Sequence, residues 1–204
     1  MLIIGNDTLR VYKEFEQEEV NGLILPHLKL IGDKKRLHGI FCSPHKIYPK
    51  MFSFSFSPAS LTSPTGDNLI PAEPETITAA IVRFKEITGL DIADAEVSRL
   101  DVTLMMSTRY PVSAYFPIFH GSKSYRYTEK EHGRYLNNNC NEIALALYDK
   151  QEERLHRGRE RHSQPGEENL LRLELRILRH VKTYLKLGIY LPKLTVADLS
   201  YGYG

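Results

Sequence analysis

The chain has 204 residues, of which 42% are hydrophobic, 25% charged and 10% aromatic. This composition is typical of globular proteins with one or two domains and excludes collagen-like, disordered and coiled-coil chains. Lysine and arginine number 27 and aspartate and glutamate 25, for a net charge of +2. Bulk charge therefore neither requires nor excludes a nucleic-acid partner, which would have to bind at a local basic patch.

The sequence carries no pattern of a secreted or membrane protein. Its two cysteines, Cys42 and Cys140, are too few for a disulfide scaffold or a four-cysteine zinc site and suit a reducing compartment. No stretch approaches the roughly 20 apolar residues that a membrane span needs. We therefore expect a cytoplasmic protein with no membrane partner. We expect one domain over residues 1–204, either complete or the N-terminal part of a longer chain.

The first half of the chain alternates between strand and loop patterns before one clear helix. Strands are predicted at residues 22–31, 37–42 and 51–57, the last with a phenylalanine at every second position. A loop rich in proline, serine and threonine is expected at residues 58–75. Apolar residues at helical spacing predict a helix over residues 75–88 that ends at Gly89.

The second half is predicted to contain the main strands of the sheet. Strands are expected at residues 95–106, 135–139, 142–148 and 169–178, and helices at residues 149–156 and 180–187. An aromatic loop or short helix at residues 110–119 and a polar stretch at residues 120–134 separate them. This order predicts an α+β fold with a mostly antiparallel central sheet and helices packed on one face.

Three of these strands have one apolar face and one unusually polar face. The polar faces carry carboxylates, a tyrosine and arginines, namely Arg99, Asp101, Glu142, Tyr148, Arg172, Glu174 and Arg176. A wet face of an antiparallel sheet explains such residues without any chemistry. Alternatively, Asp101 and Glu174 hold a divalent cation through oxygen ligands, and Tyr148 attacks a phosphodiester that the cation polarises.

Three short blocks in this region resemble rolling-circle replication initiators, specifically the Rep-trans plasmid type and the gene II/X type of filamentous phages. The blocks are Arg-Leu-Asp at residues 99–101, Tyr-Asp-Lys at residues 148–150 and Arg-Leu-Glu at residues 172–174. Their order and spacing match over about residues 97 to 180. The resemblance implies an HUH endonuclease-like fold of RRM/ferredoxin-like topology.

The resemblance also implies an activity and a set of site residues. The activity is site-specific nicking and strand transfer of single-stranded DNA through a 5′-phosphotyrosine intermediate, dependent on Mg²⁺ or Mn²⁺. By this resemblance Tyr148 is the nucleophile, Lys150 lies beside the scissile phosphate, and Asp101 and Glu174 bind the metal. Single-stranded or hairpin origin DNA, and a host replication helicase in a bacterial cytoplasm, are the implied partners, while the oligomeric state stays open.

One departure from the family pattern affects the metal site. Plasmid members usually carry a second aspartate four positions after the first, and Met105 stands there in this chain. The site is therefore expected to use fewer carboxylates or to recruit a histidine. The chain has no His-x-His pair, and His120 and His132 are the nearest candidates because they flank the predicted active-site strands.

DNA contacts are expected from arginines of the polar face and from one segment that interleaves cations with aromatic rings. The candidate residues are Arg99, Lys123, Tyr125, Arg126, Tyr127, Arg134, Arg172 and Arg176. An alternative function is a non-catalytic, RRM-like module that binds single-stranded nucleic acid, in which tyrosines serve as stacking platforms. Cleavage that depends on a divalent cation distinguishes the two. A structural phage or plasmid protein without nucleic-acid contact is a third possibility.

Overall fold

The computed structural model describes residues 2–19, 22, 36–37, 39–121, 123–161, 168–185 and 194–200. Within these residues, nine strands form one sheet in which every pairing between named strands is antiparallel, in the order β2-β3-β4-β1-β5-β9-β8-β7-β6. The strands are β1 (Leu2–Glu14), β2 (Arg36–Leu37), β3 (Ile40–Pro44), β4 (Met51–Phe56), β5 (Glu96–Ser107), β6 (Tyr125–Lys130), β7 (Gly133–Asn138), β8 (Ile143–Asp149) and β9 (Leu170–Ile177). This arrangement confirms the predicted antiparallel α+β class.

The described helices are short except for one. They are α1 (Gln17–Glu19), α2 (Pro58–Thr62), α3 (Pro74–Thr88), α4 (Lys150–His156), α5 (Val181–Tyr184), α6 (Val196–Ser200) and a 3-10 helix (Val112–Ile118). Helix α3 has a proline in its first turn and ends at Gly89, whose φ of 74° is the left-handed conformation that favours glycine. None of the helices in the described residues is both long enough and apolar enough to cross a membrane.

Two hydrophobic clusters lie on the apolar face of the sheet. The larger one joins the three alternating phenylalanines of β4 to the buried stripe of α3, where the rings of Phe54 and Phe84 meet edge to face with centroids 5.3 Å apart. The smaller one packs Val112 and Phe116 of the 3-10 helix onto Leu147 and Leu171. The period-two and helical patterns of the sequence therefore predicted these faces correctly.

Several sequence-based boundaries were wrong for identifiable reasons. Strand β1 was not predicted, although it is central and pairs with both β4 and β5. The strand predicted at residues 37–42 is split by Gly39, whose φ of 90° makes a turn between β2 and β3. The loop predicted at residues 58–75 contains α2, which Ser57 caps through its side chain.

The second half shows three further differences. The polar stretch at residues 120–134 contains β6 and the start of β7, which form a hairpin. Because β6 is an edge strand with mostly exposed side chains, it shows no apolar alternation. The helix predicted at residues 180–187 is described only as the single turn α5. The strand predicted at residues 22–31 lies outside the described residues, apart from residue 22.

Candidate active site

The polar faces of β5, β9 and β8 come together at the centre of the sheet. The register places Asp101 opposite Arg176, Thr103 opposite Glu174, and Tyr148 opposite Arg172. Partnered residues of antiparallel strands present their side chains on the same face. The three motif blocks that the sequence suggested are therefore neighbours in the fold.

This polar centre is buried, so it is not the wet sheet face that one of the two interpretations of the sequence assumed. Asp101, Glu174 and Arg172 are at most 1% exposed, and Tyr148 is 6% exposed. The segment that joins α2 to α3 covers Arg172, since the backbone oxygens of Asn68 and Leu69 accept hydrogen bonds from its guanidinium. Burial of charged groups is costly unless they are paired, so the pairing pattern of this centre determines what it can do.

Glu174 binds both Tyr148 and Arg176 in the buried centre. Its Oε1 accepts a short hydrogen bond from the Tyr148 hydroxyl, and its Oε2 accepts hydrogen bonds from Nε and Nη2 of Arg176, at 2.8 and 2.6 Å. Burial raises the pKa of Tyr148 well above 10, and the charge of Arg172 opposes this shift only in part. Tyr148 is thus a neutral phenol with a carboxylate positioned to accept its proton.

Arg172 connects the tyrosine to the N-terminal strand. Its Nη1 lies 3.2 Å from Asp7 Oδ1 and 4.0 Å from Glu174 Oε1. Asn68 donates to the same oxygen of Asp7 at 2.9 Å. The guanidinium is therefore held from three sides, by β1, by β9 and by the segment between α2 and α3.

Lys150 belongs to the same network but faces the covering segment. Asp149 caps α4 by accepting from the backbone N–H groups of Gln151 and Glu152, which fixes Lys150 in the first turn. Lys150 Nζ donates to Asn68 Oδ1 at 3.0 Å and to Glu153 Oε2 at 2.8 Å. Burial, reinforced by the charge of Arg172 and opposed by Glu153, lowers the pKa of Lys150 from 10.5 to about 8.

The covering segment, residues 66–69, is also held by ion pairs at Asp67. Asp67 pairs with both Arg154 and Arg159, and Arg159 also donates to the Gly66 carbonyl oxygen at 2.8 Å. Burial alone would raise the pKa of Asp67, but the hydrogen bond and charge of Arg154 lower it below 3.8. These contacts hold residues 66–69 against Arg172 and Lys150.

Asp101 and Glu174 supply an oxygen-rich pair that suits a divalent cation. Arg99 binds both oxygens of Asp101, at 2.8 and 2.6 Å, and burial raises the pKa of this carboxyl despite that pairing. Thr103 stands between the two acids, and its fully buried hydroxyl makes no hydrogen bond within the described residues. Mg²⁺ commonly uses only one or two carboxylates, completed by water and substrate phosphate. At this pair it would share the carboxylate oxygens with Arg99 and Arg176.

None of the histidines that the structure describes completes this pair. Among the described side chains, no three or more from histidine, cysteine, aspartate and glutamate are grouped as they would be around a metal ion. His120 is exposed and lines a cavity with Phe116 and Tyr127, and His132 lies near His156, with ring centroids 6.0 Å apart. The sulfur of Met105 lies 3.8 Å from Arg172 Nη2, so this residue faces the network without adding a charge.

The expected DNA-contacting residues divide between the two faces of the sheet. Arg99, Arg172 and Arg176 lie at the buried centre, and Arg126 lies on the same face at the edge strand β6, where it donates to Asn141 Oδ1 at 2.8 Å. Tyr125, Tyr127 and Arg134 lie on the opposite face, with the guanidinium of Arg134 placed 4.5 Å from the centre of the Phe116 ring. Lys123 is exposed before β6.

Sequence reasoning missed Asp7 and Asn68 and assigned Tyr135 only as a stacking platform. Asp7 and Asn68 reach Arg172 across 165 and 104 positions of the chain, so no local pattern indicates them. Tyr135 lies beside Ala146 on the same face of the sheet as Tyr148, which we call the tyrosine face. Lys130 Nζ lies 5.0 Å and Arg176 Cζ 6.0 Å from the centre of the Tyr135 ring. It is half-buried and marks the side on which the polar centre meets solvent.

Comparisons with known proteins give one informative likeness. No protein-family model matches the chain, and no curated protein matches it by sequence. Among solved structures, the chain is similar to a rolling circle replication initiator protein from Geobacillus stearothermophilus, with a TM-score of 0.50 and 12% sequence identity. The similarity covers 97% of this chain and 80% of that one. The fold expected from the resemblance to rolling-circle initiators is thereby confirmed.

Proposed function

We propose that the protein is a rolling-circle replication initiator that nicks and transfers single-stranded DNA through Tyr148. The observation that carries this proposal is the Tyr148 hydroxyl hydrogen-bonded to Glu174 in a buried, arginine-rich centre. The shared fold with a replication initiator supports the same conclusion. A phenol beside a carboxylate is suited to nucleophilic attack, because the proton has a destination as the new bond forms.

The proposed reaction balances without an external energy source. The Tyr148 oxygen attacks the scissile phosphorus and gives its proton to Glu174, the bond from phosphorus to the 3′ oxygen breaks, and that oxygen takes up a proton to become a 3′ hydroxyl. The DNA 5′ end is then linked to the protein as a phosphotyrosine. Attack by a 3′ hydroxyl on this link reverses the step and joins the strands. The bond energy is conserved, so no nucleotide hydrolysis is required.

The arginines stabilise charge in this scheme. Arg172 and Arg176 flank Glu174 and the Tyr148 hydroxyl, so they favour the negative charge that moves from the phenol to the phosphate oxygens. Arg99 orients Asp101 through a bidentate contact. Lys150, held by Asn68 and Glu153, adds a positive charge at the end of β8.

A divalent cation, Mg²⁺ or Mn²⁺, is part of the proposal. Asp101 and Glu174 would hold it, with the Thr103 hydroxyl as a neighbouring oxygen donor. Bound there, the cation would polarise the scissile phosphate as a Lewis acid. The proposed partners are single-stranded or hairpin origin DNA and a host replication helicase, in a bacterial cytoplasm.

The proposal is tested with single-stranded oligonucleotides that include plausible origin sequences, incubated with Mn²⁺ and resolved on a denaturing gel. We expect a protein–DNA adduct that EDTA prevents and that Tyr148→Phe abolishes. Tyr127→Phe is the matched control, because it removes a tyrosine hydroxyl from the opposite face. An undiminished adduct in Tyr148→Phe would contradict the nucleophile assignment.

A non-catalytic module for single-stranded nucleic acid is the second candidate. The observation that favours it is the Phe41 ring, which is 49% exposed and lies on the same face of the sheet as Tyr148 but outside the buried centre. It predicts binding with no adduct and no dependence on a divalent cation.

A further inference from the structure

The outer part of the tyrosine face, formed by β3, β4 and β1, is open and carries residues that the nicking chemistry does not use. One row across the strands holds Phe41, Ser55, Arg10 and Arg99, in that order. The next row holds Ser43, Ser53, Tyr12 and Glu96. Rings, hydroxyls and the Arg10 cation thus alternate across β3, β4 and β1, with Glu96 and the Asp101-bound Arg99 at the β5 side.

These residues line a cleft of about 680 Å³ that we call the aromatic cleft, with Arg10, Tyr12, Phe41, His45, Lys46 and Ile47 around serines 43, 53 and 55. Phe41 is 49% exposed, and the His45 ring stacks on Tyr48 at 5.0 Å and meets Tyr12 edge to face at 6.1 Å. Lys46 is exposed, and Arg10 is half-buried. Rings that keep part of a face exposed beside cations are suited to unstacked bases and phosphates together.

The aromatic cleft is continuous with the buried centre by two routes. Arg10 is the cross-strand neighbour of Arg99, which binds Asp101. A second cleft of about 600 Å³ shares Phe41 and Ser55 with the first and extends to Asp7 and Asn68, the residues that contact Arg172. A single extended ligand can therefore follow the surface from Asp7 and Asn68, beside the buried centre, to β3.

We propose that the aromatic cleft binds the single-stranded DNA that flanks the nick, with bases stacked on Phe41 and Tyr12 and phosphates at Arg10 and Lys46. This inference rests on the proposed function, because it takes single-stranded DNA as the ligand. Hydroxyl groups of Ser43, Ser53 and Ser55 provide further phosphate contacts that carry no sequence information. Binding at the cleft is consequently tolerant of sequence.

The chain contains no tryptophan, so one introduced residue reports on the cleft alone. Phe41→Trp is titrated with a dodecamer of thymidylate while intrinsic fluorescence is recorded. We expect saturable quenching, because a base stacks on the indole. Ile118→Trp is the matched control, since Ile118 is 71% exposed on the opposite face and its tryptophan is expected to keep its fluorescence.

A binding titration followed by fluorescence anisotropy of labelled thymidylate accompanies this measurement. Alanine in place of an aromatic residue that stacks on a base weakens binding by about 5- to 150-fold, and we expect a loss in this range for Phe41→Ala. A matched abasic oligonucleotide is expected to bind with less quenching of Phe41→Trp. Equal quenching by the abasic strand would overturn base stacking at the cleft.

The outcomes separate this inference from the proposed function. Quenching of Phe41→Trp without any adduct would uphold the cleft and remove the nicking activity. An adduct at Tyr148 with unchanged affinity in Phe41→Ala, and no quenching in Phe41→Trp, would uphold nicking and overturn the cleft. Absence of any binding to single-stranded DNA would overturn both.

Discussion

The face of the sheet that carries Tyr148 has two regions with opposite properties. Around Tyr148, charged groups are buried and paired, with Arg172 and Glu174 almost fully removed from solvent. Across β3 and β4, rings such as Phe41 are about half exposed. One continuous sheet therefore combines a closed, preorganised region with an open one.

The closed region and the open region are suited to different tasks. Buried charges are tolerated only where partners fix their geometry, and fixed geometry is what a reacting group requires. Exposed rings and hydroxyls are accessible to a ligand. Four predictions test whether the closed region is as rigid and as strongly coupled as this comparison requires.

The largest expected effect is the loss of a buried cation. Arg172→Met leaves Asp7 and Glu174 without their shared partner, and we expect it to lower the free energy of unfolding by about 3–5 kcal/mol. Arg83→Met is the control, because Arg83 makes only an exposed ion pair with Glu86 and should cost about 0.5 kcal/mol or less. Urea unfolding measures both. Equal losses would show that the buried network is not coupled.

A smaller effect is expected from a single methyl group beside the tyrosine. At Gly133 a Cβ atom would lie 2.7 Å from the Cβ of Tyr148 and 2.8 Å from the carbonyl oxygen of Leu147. We expect Gly133→Ala to destabilise the fold by about 1–3 kcal/mol through overpacking and to slow adduct formation by displacing Tyr148. In Gly121→Ala the added methyl meets only the Tyr127 side chain, so adduct formation there should be unchanged.

The lowered pKa of Lys150 predicts that activity is lost at alkaline pH. Its pKa of about 8 means that the ammonium charge is present below that pH and is lost as pH rises through it. At subsaturating DNA, the adduct rate should fall about tenfold per pH unit above this pKa, because catalysis follows the protonated fraction of the free protein. Glu153→Gln should move this loss to lower pH, since Glu153 raises the pKa of Lys150. A rate that is constant to pH 10 would contradict a role for this charge.

The smallest expected effect concerns residues 66–69, the segment that packs on Arg172 and Lys150. The folded-state pKa of Asp67 lies below its unfolded value of 3.8, so its contribution to stability is present above that pH and is lost as pH falls further. We expect Asp67→Asn to cost about 1 kcal/mol or less at pH 7, because the carboxylate is partly exposed. The variant should also lose less stability than the parent on acidification. An identical acid profile would show that the ion pairs to Arg154 and Arg159 are not formed in solution.

Local sequence patterns predicted much of the fold. The alternating phenylalanines of β4, the stripe of α3 and the polar faces of β5, β8 and β9 follow from periodicity, because each is a repeated choice between core and solvent. Strand β1 was not recognised because its apolar start at residues 2–4 is followed by charged residues such as Asp7 and Arg10. A register shift between Asn6 and Leu9 also interrupts the alternation of faces along this strand.

The motif residues of the candidate site could be predicted from the sequence, but the residues that surround them could not. Asp101, Tyr148 and Glu174 were found because they lie in three short blocks on neighbouring strands. The burial of that face was missed, because the segment that covers it and the N-terminal Asp7 are distant in sequence. Tyr125 and Tyr127 were predicted to contact DNA because their segment interleaves cations with aromatic rings, whereas the pairing of β6 with β7 places both on the face opposite Tyr148.

The most direct test of the account is the identity of the residue that becomes linked to DNA. The adduct formed with Mn²⁺ is digested with a protease and a nuclease, and the remaining nucleotide is located by peptide mass spectrometry. The account predicts a nucleotide on Tyr148 alone. A nucleotide on Tyr135, or on a tyrosine of the opposite face such as Tyr127, would contradict the assignment of Glu174 and its arginines as the groups that support the attack.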